Sequence, residues 1–159
     1  MAGLIAIAAT VAMAQGTSIN LGSLEHDTSL PVEVSSNSLS IANENGRAVF
    51  DGDVVVIQGP MRLGAGRIEI DYGQAVDGGT TDIREMHATG GVTYTNGTDA
   101  AESREAIYSP EEGALVMTGD VILTQGPGVI SGDRLVVDLA AGTGVMEGRV
   151  RTVFQTDNN

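Results

Sequence analysis

The sequence predicts an all-β protein: an antiparallel β-jellyroll or flattened solenoid of repeated strand-turn-strand units around an apolar interior groove. Three observations lead there. Apolar and polar residues alternate through most of the chain, which is the period of a strand with one dry face. A strand-like motif recurs along the chain. The apolar runs end in glycine-containing turn dipeptides.

The repeat is explicit. Gly52-Asp53-Val54-Val55-Val56-Ile57-Gln58-Gly59-Pro60 returns 67 residues later as Gly119-Asp120-Val121-Ile122-Leu123-Thr124-Gln125-Gly126-Pro127. At the same offset, Arg67-Ile68-Glu69-Ile70-Asp71 falls on Arg134-Leu135-Val136-Val137-Asp138. A middle copy begins at Gly90-Gly91-Val92-Thr93-Tyr94 and a last one at Gly148-Arg149-Val150, so the glycine starts are spaced by 38, 29 and 29 residues. The longer first interval holds Asp77-Gly78-Gly79-Thr80-Thr81-Asp82, which reads as a loop insertion. With each unit starting at its glycine, there is room for two strands of about 8 to 10 residues. The turns follow at Gln58-Gly59-Pro60, Asn96-Gly97 and Gln125-Gly126-Pro127, where glycine supplies positive φ. Asp99 to Tyr108, the one stretch with some helical character, aligns with the second strand of the other units.

Comparing copies assigns the inner face. Val54-Val55-Val56-Ile57 is ambiguous alone, but Val121 and Leu123 alternate with Asp120 and Thr124, and Val92 and Tyr94 with Thr93 and Thr95. The inner set is therefore Val54, Val56, Val92, Tyr94, Val121 and Leu123. Stepping back by twos adds Ala48, Phe50, Leu115 and Met117. The returning strands add Ile68, Ile70, Ile107, Leu135 and Val137, and the upstream segments add Val32, Val34, Leu39 and Ile41. Both terminal strands, near Val32–Val34 and Val150–Val153, are expected to carry unpaired edges.

Composition bounds function. A chain of 159 residues suits one domain. Its 21 acidic and 8 basic side chains give a net charge of −13, which repels nucleic acid and offers anionic membranes no basic handle. Aromatics are only 3 % and Trp is absent, so the interior must be filled by aliphatic side chains or left partly unfilled. With no Cys, disulfides and thiolate metal sites are excluded. The apolar run Leu4 to Met13, ending in Ala12-Met13-Ala14, has the form of a cleaved signal peptide, although Met1-Ala2-Gly3 lacks Lys or Arg. The run is far shorter than the roughly 20 residues needed to span a bilayer. The expected organisation is a signal peptide over 1–14, an N-terminal extension over 15–30, the β domain over 31–154 and a tail over 155–159.

Catalysis finds little material. His26 and His87 have no nucleophile elbow near them and no zinc-ligand cluster around them. Asp77 to Asp82 lacks the alternating oxygens of a calcium loop, and Leu63-Gly64-Ala65-Gly66-Arg67 is followed by no helix that would make it a dinucleotide site. Asn96-Gly97-Thr98 is formally a glycosylation acceptor at a turn position. No enzyme, no cofactor and no metal site is expected. What remains is the aliphatic stripe. It reads either as an ordinary core or as a tract that accommodates acyl chains, and its lack of large aromatics favours the tract.

Three segments resemble one family. They are Pro31-Val32-Glu33-Val34-Ser35-Ser36, then Leu39-Ser40-Ile41, then Ala48-Val49-Phe50-Asp51-Gly52-Asp53-Val54 through Gly59. Met117-Thr118-Gly119-Asp120-Val121 and Ile130-Ser131-Gly132-Asp133-Arg134-Leu135 resemble its second half. The likeness, over residues 31 to 153, is to the OstA-like (LptA) family of periplasmic lipopolysaccharide-transport proteins. It implies a β-jellyroll carrier in the periplasm that shields lipid A acyl chains. By the same resemblance the carrier joins edge to edge with further copies and bridges the inner-membrane component LptC to the outer-membrane component LptD. Val32, Val34, Phe50, Tyr94, Leu115 and Met117 would then contact lipid. The acidic charge places recognition in the acyl chains and leaves the anionic head groups in water. The other reading is a secreted structural β-solenoid with a closed core and no lipid.

Overall fold

The computed structural model describes residues 16–20, 27–42, 46–73 and 82–155. Among them the regular structure is entirely β, in twelve strands. In chain order these are β1 (Thr17–Asn20), β2 (Glu33–Ser35), β3 (Ser38–Ala42), β4 (Arg47–Gln58), β5 (Met61–Tyr72) and β6 (Ile83–Asn96). They continue as β7 (Asp99–Ser103), β8 (Glu105–Ser109), β9 (Ala114–Gln125), β10 (Gly128–Asp138), β11 (Thr143–Glu147) and β12 (Arg151–Phe154). All ladders are antiparallel, and neighbours in sequence are mostly neighbours in the sheet. The segment expected to be a signal peptide, His26 and most of the Asp77–Asp82 insertion lie outside the described residues.

The turns form where the glycines predict them. Gln58 pairs with Met61, Asn96 with Asp99 and Gln125 with Gly128, leaving two-residue loops. Gly59, Gly97 and Gly126 open these loops at φ of 56°, 62° and 54°. In two loops proline follows, its φ already fixed for the second position.

The glycines taken as unit starts do something else. Gly52, Gly90 and Gly119 lie in the middle of strands of 12, 14 and 12 residues, not at the ends of strands of 8 to 10. Gly52 and Asp53 have φ of 81° and 46°, and Gly119 and Asp120 have 87° and 47°. Gly90-Gly91 and Gly148-Arg149 repeat the pattern. At each pair the ladder slips: Asp51 opposes Arg67 but Val54 opposes Ala65, so two residues face Gly66 alone. Gly66 likewise faces Gly90-Gly91, and Asp133 lies opposite Gly119-Asp120. Such a bulge bends the strand without ending its pairing. Aligned across the sheet, the bulges form a spine along which every long strand turns a corner.

The spine divides the sheet into two facing halves. One contains β2, the ends of β4, β5, β6, β9 and β10 next to the two-residue turns, β7 and β12. The other contains β3, the remaining parts of the long strands, β8, β11 and β1. The halves share one aliphatic core. Along the spine, residues sixteen apart in sequence clip neighbouring strands: Asn37 to Asp53 at 3.5 Å, Arg104 to Asp120, and Arg149 to Asp133 at 2.6 Å. Arg149 holds the Asp133 carboxyl below its ordinary range. The clips are exposed and add little stability. The spine is set by backbone conformation instead.

Two further sequence expectations are corrected. Ile107 points outward and is 37 % exposed, while its neighbours Ala106 and Tyr108 are buried. Buried positions on β7 and β8 are Asp99, Ala101 and Ser103, then Ala106 and Tyr108, so the phase shifts by one across Arg104. β5 shifts likewise between Ala65 and Ile68, and β10 between Ile130 and Leu135. The second correction concerns edges. β2 and β12 form them in one half as expected, but β1, from within the expected N-terminal extension, occupies the edge beside β11 in the other.

Two measurements of stability test these assignments. In urea denaturation, Ile107→Thr is expected to change stability by less than about 0.5 kcal/mol, and Tyr108→Ala to cost about 3–5 kcal/mol. A Cβ on Gly66 would meet the Gly90 carbonyl oxygen at 3.2 Å and its Cα at 3.4 Å, backbone on backbone. Gly66→Val is expected to lose about 1–3 kcal/mol, whereas Gly64→Ala, whose Cβ meets the Thr93 hydroxyl at 2.8 Å and the Val54 carbonyl oxygen at 4.0 Å, should lose less because the hydroxyl belongs to a side chain that can turn away.

Candidate functional site

The candidate site is the apolar tract between the half-sheets. Alternation puts one side of every strand into it, and the spine turns those sides toward each other. Val54, Val56, Ile68, Ile70, Val92, Tyr94, Leu115, Met117, Val121, Leu123, Leu135 and Val137 are all buried there. Val32, Val34 and Phe50 are partly buried and pack against this cluster. Leu39 opposes Phe50 and Ile41 opposes Ala48, so both stand on the inner face. Yet they are 50 % and 66 % exposed, because β3 is an edge strand. Ile107 alone of the expected residues lies on the outer face, in a row with Val116, Val136 and Val145.

The tract is therefore closed at its centre and open at its ends. At the β3 end it presents Leu39 and Ile41. At the β12 end Phe154, 69 % exposed, lies against Gly128, where a Cβ would meet its ring at 3.2 Å. The sequence reading missed Met61, Leu63, Met86, Ala88, Ala101, Ala106, Tyr108 and Ile130 as inner residues. The 29-residue offset held the signal for two of them: stepping back from Leu135 and Val137 lands on Ala106 and Tyr108.

Opposite the spine, the half-sheets meet along a seam with a polar lip. The residue before each two-residue turn is an amide on the inner face: Gln58, Asn96 and Gln125. Gln58 Nε2 donates to the carbonyls of Thr28 and Leu30, both at 2.8 Å. Gln58 Oε1 accepts from the hydroxyl of Tyr108, which belongs to the facing half. Gln125 Nε2 donates to the Asn20 carbonyl at 3.1 Å and to Asp99 Oδ2 at 3.2 Å. The lip thus ties the facing halves and pins residues 20 and 28–30 over the seam. The recurrence of glutamine at an offset of 67 was visible in sequence, but it reads there as turn chemistry. Burial pushes the Tyr108 hydroxyl up to about 12 and raises that of Tyr94 further, so both stay protonated.

A cavity of about 600 Å³ opens at the seam, its lining including Leu30, Val32, Gln58, Ile83, Asp82 and Glu111. Its lining is half polar in character, and its two carboxylates make it unfavourable for anions. His87 stands on the outer face of β6, paired with Glu69 across the ladder and 3.5 Å from Glu105. Among the described residues no group of His, Cys, Asp or Glu is placed to hold a metal ion. Asn96 is 2 % exposed, so its side chain lies within the fold and not out on the turn.

The comparisons with known proteins follow the same architecture. Residues 33–143 match the family described as LptA/(LptD N-terminal domain) LPS transport protein. The chain is 30 % identical over 150 residues to the uncharacterized protein R00383 of Rhizobium meliloti (strain 1021), covering 90 % of this chain and 81 % of that one. The fold matches the crystal structure of LptH of Pseudomonas aeruginosa, described as the LptA-homologous periplasmic component of the lipopolysaccharide transport device. That match has a TM-score of 0.71 at 18 % identity and covers 82 % of this chain and 99 % of LptH. The family match spans well over half of the sequence, and the chain belongs to the LptA/LptD N-terminal-domain family of lipopolysaccharide-transport proteins.

Proposed function

We propose that this protein is a periplasmic carrier that holds the acyl chains of lipopolysaccharide between its half-sheets and forms part of a bridge from the inner to the outer membrane. The observation that carries the reading is the inner face left uncovered at an end: Leu39 and Ile41 continue the buried stripe into solvent. An edge strand leaves such side chains uncovered in any sheet, but here they prolong the buried stripe, and a tract that receives chains from a neighbour must begin with an open mouth of this kind. Net charge −13 keeps anionic sugars and phosphates outside. Neighbours of the bridge would be LptC, LptD and further copies of this chain, pairing through β2 and β3 at one end and β12 and β1 at the other.

The energetics favour a relay over a store. Burying one CH₂ is worth about 0.8 kcal/mol, so a chain of about 12 carbons gains on the order of 10 kcal/mol when fully dried. Several chains held that way would not leave. Parting the half-sheets, which breaks the Tyr108–Gln58 contact and exposes aliphatic surface, offsets much of the gain and keeps affinity moderate. The closed centre favours one other reading, a structural solenoid with a permanent core.

Mass spectrometry of protein purified natively from the periplasm separates the two. The carrier brings lipopolysaccharide with it and the solenoid does not. Photo-crosslinkers at Val34, Leu39, Phe50 or Met117 are expected to capture lipopolysaccharide, and those at Val49 or Thr93 on the outer face are not. Equal labelling of both faces would remove the tract as the site.

Assembly is tested separately by sedimentation. Concentration-dependent oligomers are expected, weakened by Val34→Pro or Val153→Pro, which remove a ladder donor from an edge strand. A single monomeric species at all concentrations, with and without lipid, would count against the bridge.

A further inference from the structure

Among the described residues two buried side-chain atoms have no hydrogen-bond partner: the Tyr94 hydroxyl and Asn96 Nδ2. They belong to 1 % and 2 % exposed residues two apart on β6, so they share its inner face. A buried polar group without a partner lowers stability, and native proteins keep few of them. The repeat makes the pair conspicuous. At the positions matching Tyr94, the other copies carry Val56 and Leu123, which need no partner. At those matching Asn96 they carry Gln58 and Gln125, both satisfied within the chain. The middle copy alone sets two such polar groups side by side: the Asn96 amide lies near enough to bear on the Tyr94 hydroxyl, but the two are not in hydrogen-bond geometry with each other.

Their surroundings define what would satisfy them. Leu63 and Ala101 flank Tyr94 across the ladders, and Met61 and Asp99 flank Asn96. The buried Asp99 beside them disfavours an anion such as phosphate. Two neighbouring donors on one face fit a neutral oxygen with two lone pairs. The site lies where the aliphatic interior gives way to the polar lip, midway along the tract. A chain lying inside would pass from methylenes to its linkage group there.

We propose that Tyr94 and Asn96 form a hydrogen-bonding subsite for the ester or amide carbonyl that joins an acyl chain to its polar head. This rests on the carrier reading above. The subsite would set the depth to which a chain enters, since sliding further inward would strip the carbonyl of both donors. It supplies register in a tract whose aliphatic walls supply none.

The test uses purified lipid A as the probe and the variants Tyr94→Phe and Asn96→Leu, which remove the donors at nearly constant volume. Tyr94→Phe is expected to leave the thermal midpoint of the unliganded protein unchanged or raised, because an idle polar group has gone. It should weaken lipid A binding about tenfold, the effect of losing one hydrogen bond. The carbonyl infrared band of bound lipid A should shift to higher frequency in the same variant. Asn96→Leu should act in the same direction, and Tyr94→Phe carries the test alone if Asn96→Leu fails to fold. If both variants bind lipid A as the unaltered chain does, with the carbonyl band unmoved, the pair holds no more than a buried water and the subsite is overturned. If the unaltered chain does not bind lipid A, the carrier reading falls and this one with it.

Discussion

A paired strand of twelve residues is about 40 Å long, and a sheet of such strands would be an open slab with its apolar side in water. Everything in this fold depends on bending those strands without unpairing them. The bend needs backbone at positive φ, which Gly52, Gly90, Gly91, Gly119 and Gly148 adopt without strain. It also needs close approach on the partner strand, which Gly66 allows by touching Gly90 backbone to backbone. Asp53, Asp120 and Arg149 adopt φ near 46° as second residues of the bulge. With the spine in place, the inner faces meet and the tract follows. Without it there is neither core nor site.

The same bend explains the division between aliphatic interior and polar lip. At the spine the half-sheets diverge from a common line, and the space between them is filled by branched side chains. At the far side they must be joined again across strands that do not pair. Amide side chains suit that task, since each offers both a donor and an acceptor. Gln58 uses both, accepting from Tyr108 and donating to two main-chain carbonyls. The seam is thus held by side-chain hydrogen bonds and the spine by continuous ladders. Of the two, the seam is the weaker line.

Much of this was legible in sequence because copies could be compared. One copy alone leaves Val54-Val55-Val56-Ile57 undecided; three copies single out Val54 and Val56, which are buried. The two-residue turns were legible because Gly-Pro and Asn-Gly have few other uses. Gly-Asp was misread as a beginning, because a bulge and a turn make the same demand on the backbone and differ only in whether pairing continues. The change of phase at Arg104 was hidden for a related reason: hydrophobicity favoured Ile107, while the repeat offset pointed to Ala106. The exposure of Leu39 and Ile41 was not legible, since it depends on where the sheet ends. Nor was the role of residues 17–20, whose partners lie more than a hundred positions downstream.

That last pairing also governs the order of events in folding. Thr17 aligns with Met146 and Asn20 with Thr143, so the first strand has nothing to dock against until the last repeat is available. A chain emerging across a membrane from its amino terminus would have to hold this segment idle until nearly all of the domain had arrived, and such distant pairing is slow to form. The arrangement also gathers the beginning and end of the domain at the β1/β12 end of the sheet. A fusion or label inserted beside β1 or β12 would crowd that end and leave the β2/β3 end accessible, which gives the two ends of the sheet different tolerances to engineering.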